Sequence, residues 1–165
     1  MFECSLKLLK LAVFEMQFAF EGLSHENLWK RPAPQLLSVG EIAGHIAYWE
    51  AVRLAGDGED LSKCSIQSPL VHNVFRYHTS SVNTEPEEVH LAMTPSEVYQ
   101  EYLRVHQECL ANLERLNPSP DAKIGGDPSG FTYGDFLEYL VFHVSYHTGQ
   151  MYSVRHLLGD TTPDN

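Results

Sequence analysis

The stretch TYGDFLEYLVFHVSYHTGQMYSVRHLLG, residues 132–159, places Phe136, Leu140, His143, His147, Gln150, Val154 and Leu157 in an unbroken 4-3-4-3 series. Such steps return a side chain to one face of an α-helix, so the spacing predicts one long helix reaching Leu158. Thr132 offers an N-cap, and Asp135 sits where a carboxylate completes a capping box at the positive end of the helix dipole. Gly159 suits the position just past the end. An inward seam of this kind fixes an all-α reading if the rest of the chain supplies helices for it to pack against.

It does. From about Cys4 to Leu23, apolar residues at Leu6, Leu9, Val13, Met16, Phe20 and Leu23 form a first helical face, and Leu8, Leu11 and Phe18 are expected to widen it. The prolines of RPAPQL, residues 31–36, interrupt helix; Ser38 and Glu41 then make a capping box for a second helix running to about Leu54. Its inward face reads Ile42, His45, Trp49 and Val52, and Gly40 and Gly44 suggest close approach of a neighbouring helix backbone. Residues 56–93 show no sustained periodicity and read as a long connection with one or two short helical turns, able to cross a bundle end to end and to shape a pocket. Thr94, Pro95 and Glu97 open a third helix whose face runs through Val98 or Tyr99, Tyr102, Val105 or His106, Cys109, Leu113 and Leu116. Residues 117–130 are a surface loop by their glycines and prolines. The expectation is one domain over residues 1–165: four helices, with a long connection between the second and third.

Composition narrows the function classes. Eleven Lys+Arg against 22 Asp+Glu leave a net charge of -11, which repels nucleic acid backbones and anionic lipid. Lys7, Lys10 and Glu15 break the N-terminal apolar run, and no stretch supplies the roughly 18 apolar residues of a membrane span. Cys4, Cys64 and Cys109 are odd in number and widely spaced, which suits reduced thiols and a cytoplasmic location. Nucleotide-binding glycine loops and a nucleophile elbow are absent from the sequence.

The histidines carry the chemistry. Burying an imidazole unpaired costs roughly 1–3 kcal/mol, so His143 and His147 on an inward seam either hydrogen-bond within the core or ligate something. Four residues apart, they can converge on one point. The helical zinc-protease motif would place Glu beside the first of them, where this chain has Val144. His45 holds an inward position on another helix, among Ile42, Ile46 and Trp49. Three neutral nitrogen donors without a fourth protein ligand are the open style of a catalytic metal site, and they favour later divalent transition metals. His45, His143 and His147 are therefore the candidate metal ligands. His106 is a candidate fourth ligand or a hydrogen-bonding neighbour of one, and Gln150 can hydrogen-bond a ligand or a bound molecule. His25, His72, His78, His90 and His156 are expected to be solvated, and Tyr48, Trp49, Tyr146 and Tyr152 to be core or interface aromatics.

GHIAYWE around His45, HVSYHTGQ from His143, and VRHLLG ending at Gly159 resemble the DinB-like family, which includes YfiT-type metal-dependent hydrolases and bacterial thiol transferases. The resemblance spans nearly the whole chain. It implies an up-down-down-up four-helix bundle, often dimeric, with a metal on His45, His143 and His147: zinc or nickel, with iron and manganese also compatible. Some such proteins attach low-molecular-weight thiols such as bacillithiol or mycothiol to electrophiles. The resulting expectation is a cytoplasmic homodimer, a metal-dependent thiol S-transferase or hydrolase acting on a small molecule. The alternative is a non-catalytic stress-response or metal-binding protein, which would lack access for a substrate-sized molecule.

Overall fold

The computed structural model describes residues 2–77 and 84–163, so His78 lies outside the described residues. Their regular structure is helical: α1 (Glu3–Met16), α2 (His25–Trp29), α3 (Val39–Ala55), α4 (Glu88–Leu91), α5 (Pro95–Leu116) and α6 (Tyr133–Leu157), with short 3-10 turns at Gln17–Ala19, Leu61–Lys63 and Asn73–Phe75. The four helices expected from periodicity are α1, α3, α5 and α6. The three capping boxes, Ser38 with Glu41, Thr94 with Glu97 and Thr132 with Asp135, all form and start α3, α5 and α6. Gly159, with φ 83°, follows α6 in the left-handed conformation that glycine adopts without penalty.

The centre of the molecule is α3, which packs against both α5 and α6, while α1 lies along α6. Every residue of α3 is buried except His45 and Arg53. The narrower face expected through Ile42, His45, Trp49 and Val52 is thus corrected. A helix buried on all sides, its carboxylates Glu41 and Glu50 included, is one covered on all sides, here by α5, α6 and residues of the 56–93 connection. Within that connection, Leu70, Val71 and Phe75 enter the core.

Two further expectations change. Leu8 and Leu11 do not widen the buried stripe of α1; they are 49% and 55% exposed, lining a shallow groove with Val141 of α6. On its other flank, a groove of about 990 Å³ runs between α1 and α5, lined by Leu6, Val13, Leu103 and Leu110 among others. Nor do Gly40 and Gly44 admit a helix backbone. A Cβ on Gly40 would stand 2.6 Å from the Trp29 ring, and one on Gly44 would stand 2.5 Å from the Phe75 ring, so each glycine is a seat for an aromatic side chain.

That contact makes a test. Gly44→Ala must displace Phe75 and is expected to lower stability by about 1–3 kcal/mol. Gly149→Ala, in the middle of α6 with nothing within 4 Å of the added methyl, is expected to raise it by about 1 kcal/mol. Urea unfolding of the two variants beside the parent reads both signs.

Candidate metal centre

His143 and His147 project from consecutive turns of α6 toward His45 on α3. Their ligand-capable nitrogens all lie within 4.8 Å of one another. The ring centroids are 4.4 Å apart for His143 and His147, 4.8 Å for His45 and His147, and 5.1 Å for His45 and His143. His143 is buried, and the other two are half-buried, facing a cavity of about 570 Å³.

The hydrogen bonds around the rings set which nitrogen each one presents. His45 Nδ1 lies 3.2 Å from the Phe75 carbonyl oxygen, which can only accept, so Nδ1 carries the proton and Nε2 keeps its lone pair. His147 Nδ1 likewise donates to Gln150 Oε1 at 2.6 Å. Gln150 is itself oriented by donating from Nε2 to the Tyr146 hydroxyl, 3.1 Å away. This is the expected place of Gln150, one turn beyond His147 on the same helix.

His143 Nε2 stands 3.2 Å from His45 Nε2, while its Nδ1 is buried with no partner among the described residues. A proton on Nδ1 leaves two lone pairs facing each other across 3.2 Å. A proton on Nε2 satisfies His45 and leaves the buried Nδ1 lone pair unmet. A cation among the three Nε2 atoms relieves the first arrangement, and three neutral imidazoles are a donor set suited to a late divalent transition metal. The residues present fit such an ion. Burial, with added repulsion from His147, His45 and the Arg53 charge, pushes the His143 pKa down to about 2. His147 is lowered too, chiefly by burial, with the Gln150 hydrogen bond opposing. Both rings therefore stay neutral, as a ligand must.

The long connection supports this site directly. Phe75 supplies the carbonyl for His45, and its ring is held by His90, whose centroid is 4.9 Å away. His90 is 1% exposed, not solvated: its Nε2 donates to the Pro69 carbonyl and its Nδ1 accepts from the Glu87 amide. Tyr77 lines the cavity and donates to the buried Glu41 carboxylate, which also caps Ser38 and pairs with Arg31. Burial and that carboxylate hold the Tyr77 phenol well above its ordinary pKa, so it remains protonated.

His106 is not part of the cluster. It lines the groove between α1 and α5, where its Nδ1 donates to Glu50 at 2.6 Å, and that buried carboxylate keeps its pKa raised against the effect of burial. His106 is turned inward, as a place on the α5 face allows, but spacing does not state which side of α3 it meets. Arg53 and Tyr77, absent from the candidate residues above, also line the histidine cavity. Arg53 was legible in one respect: residues 45, 49 and 53 recur every fourth position, one face of α3.

The model of the DinB superfamily matches residues 14–151. Searches of curated proteins and of solved structures return no match. The chain belongs to the DinB superfamily.

Two outcomes follow from the site's wiring. Gln150→Leu removes the acceptor that fixes the His147 tautomer and is expected to weaken metal binding by about 10–100-fold, measured by competition with a chromogenic chelator. In the metal-free protein the unfolded chain takes up a proton on residue 143 near pH 6.5, whereas the folded one does so only near 2. The unfolded state then binds more protons below 6.5, so stability is full above that pH and falls as pH drops, by about 1.4 kcal/mol per unit for that group. Urea titrations of chelator-treated protein between pH 7 and 5 check this, and His143→Asn is expected to flatten the slope.

Proposed function

From the three-histidine centre and membership of the DinB superfamily, we propose that this protein is a metal-dependent enzyme, a thiol S-transferase or hydrolase acting on a small molecule. The observation that carries the reading is access: the cavity of about 570 Å³ opens onto His45, His143 and His147, so the donors face space that a substrate can enter. A site built only to hold an ion has no use for it.

His45, His143 and His147 would hold the ion, zinc or nickel, with iron and manganese also compatible with the nitrogens. When bound, such an ion supplies Lewis acidity, which lowers the pKa of a thiol or water and so makes it a nucleophile near neutral pH. The chain's own contribution is to prepare the place. Phe75 and Gln150 fix two imidazoles with their Nε2 atoms turned to the cavity. Trp49, Tyr77 and Tyr139 wall the space with aromatic surface, which suits a substrate with a flat or apolar body. Tyr77, kept protonated by burial and by the Glu41 carboxylate, stands as a neutral wall rather than a base.

The wider reading is a cytoplasmic protein, supported by three free cysteines, of which Cys64 and Cys109 are buried. No helix among the described residues is long and apolar enough to cross a membrane. We place the four long helices in an up-down-down-up bundle, since a long connection between α3 and α5 allows these packed neighbours to run parallel. A second copy of the chain is proposed to cover the exposed Leu8 and Leu11 beside Val141. Small molecules, a low-molecular-weight thiol among them, are the proposed partners; the charge of -11 disfavours nucleic acid and anionic membranes.

Metal analysis of untagged protein is expected to find about one ion per chain, with added zinc or nickel raising the melting temperature of stripped protein. A panel of thiols and electrophiles is expected to reveal turnover that His143→Ala abolishes. Metal-free protein whose melting temperature ignores added metal would end the reading.

A further inference from the structure

Arg53 is the one charged side chain among the described residues that line the histidine cavity, and its surroundings leave it short of partners. Its guanidinium carbon lies 5.1 Å from the ring centroid of Trp49, 5.3 Å from Phe136 and 5.5 Å from Phe131, so aromatic surface covers it on several sides. The side chain is 11% exposed. It makes one ion pair, Nη2 to Asp127 Oδ1 at 3.6 Å, beyond hydrogen-bonding distance. Asp127 is meanwhile engaged elsewhere: Oδ1 accepts from the Ser129 amide at 3.0 Å, and Oδ2 accepts from the Ser129 hydroxyl at 2.7 Å. Arg53 Nε is buried with no hydrogen-bond partner. A guanidinium has five N–H donors, and among the described residues this one donates no hydrogen bond.

Buried donors are ordinarily satisfied, and an arginine held in such shortage inside a cavity is organised for something that arrives. Its planar fork matches an oxyanion, which it can grip with two parallel charge-assisted hydrogen bonds. The position agrees. His45 and Arg53 are the two residues of α3 that are not buried, they lie on the same face two turns apart, and both line the same cavity. The cation also has an electrostatic task, because a chain of net charge -11 repels anions on average and a local positive charge offsets this at the cavity.

We infer that the cavity takes an anionic small molecule, a carboxylate with an aromatic or apolar body, whose oxyanion pairs with Arg53 while its other end faces the three histidines. The substrate class of the proposed enzyme is thereby narrowed to acids, and this step rests on that proposal for the reaction but not for the binding. Asp127 acts as a positioning residue. A Cβ on Gly58 would stand 2.3 Å from the Gly126 backbone, and this close approach of two loops carries Asp127 to Arg53.

The test titrates untagged protein as isolated with benzoate, its neutral counterpart benzamide and phenylphosphate, by calorimetry. Benzoate is expected to bind about tenfold or more tightly than benzamide, and Arg53→Gln to erase the difference. Arg53→Lys keeps the charge without the fork and is expected to retain part of it. Because Arg53→Gln strands the buried Asp127, the double variant Arg53→Gln, Asp127→Asn serves as the folded control. Equal binding of benzoate and benzamide overturns the inference. So does a benzoate preference that survives both Gln variants, and so does one that vanishes on metal removal, since benzoate then ligates the ion. An Arg53-dependent preference for phenylphosphate over benzoate overturns the carboxylate assignment and makes the oxyanion a phosphate. Arg53-dependent benzoate binding in protein that holds no metal upholds the inference while the metal reading fails.

Discussion

The structure is organised around one constraint: three imidazoles must meet, neutral and with Nε2 forward, one of them buried and two facing a cavity. His45 comes from α3 and the other two from α6, so the geometry of the cluster is the geometry of the α3–α6 packing. Small errors in that packing would be felt at once, because the nearest nitrogens are 3.2 Å apart. The features that make α3 rigid are therefore features of the site. These include the capping box at Ser38, aromatic rings seated on Gly40 and Gly44, and burial along nearly its whole length.

Seen this way, the 56–93 connection belongs to the site rather than merely bridging two helices. Phe75 seats its ring on Gly44 and gives its carbonyl to His45, one turn of the chain serving packing and ligand orientation together. His90, through its contact with Phe75 and its bonds to Pro69 and Glu87, fixes that turn from behind. Tyr77 ties the same segment to Glu41, the residue that caps α3. Long loops without regular structure are uncommon in compact domains unless they do work of this kind.

Much of this was legible in the sequence, and the boundary has a physical cause. Helices α3, α5 and α6 declared themselves because their starts are capping boxes, a local signal complete within four residues, and because apolar spacing is periodic. The trio was legible because His45, His143 and His147 each interrupt an apolar face, where an unpaired polar group is costly. What was not legible depends on neighbours distant in sequence. Leu8 and Leu11 have the spacing of core residues and are exposed, since spacing does not state whether a partner helix is present. Gly44 could signal close approach but not that the approaching group is Phe75. His90 was expected in solvent, and the place of His106 relative to the cluster was left open, for the same reason: Pro69 and Glu50, their partners, lie 21 and 56 residues away. Arg53 went unmarked because what encloses it, the rings of Trp49, Phe131 and Phe136, comes largely from residues distant in sequence.

The functional account stands on the claim that the three histidines are ligands of one ion. X-ray absorption at the metal edge of untagged protein addresses it most directly, because scatterer type and distance are read at the ion itself. The account predicts a first shell with imidazole scattering at about 2.0–2.1 Å, fitted by three rings, and lighter atoms completing it. A shell dominated by sulfur at about 2.3 Å, or an imidazole pattern that survives His45→Ala with His143→Ala, would place the metal elsewhere and contradict it.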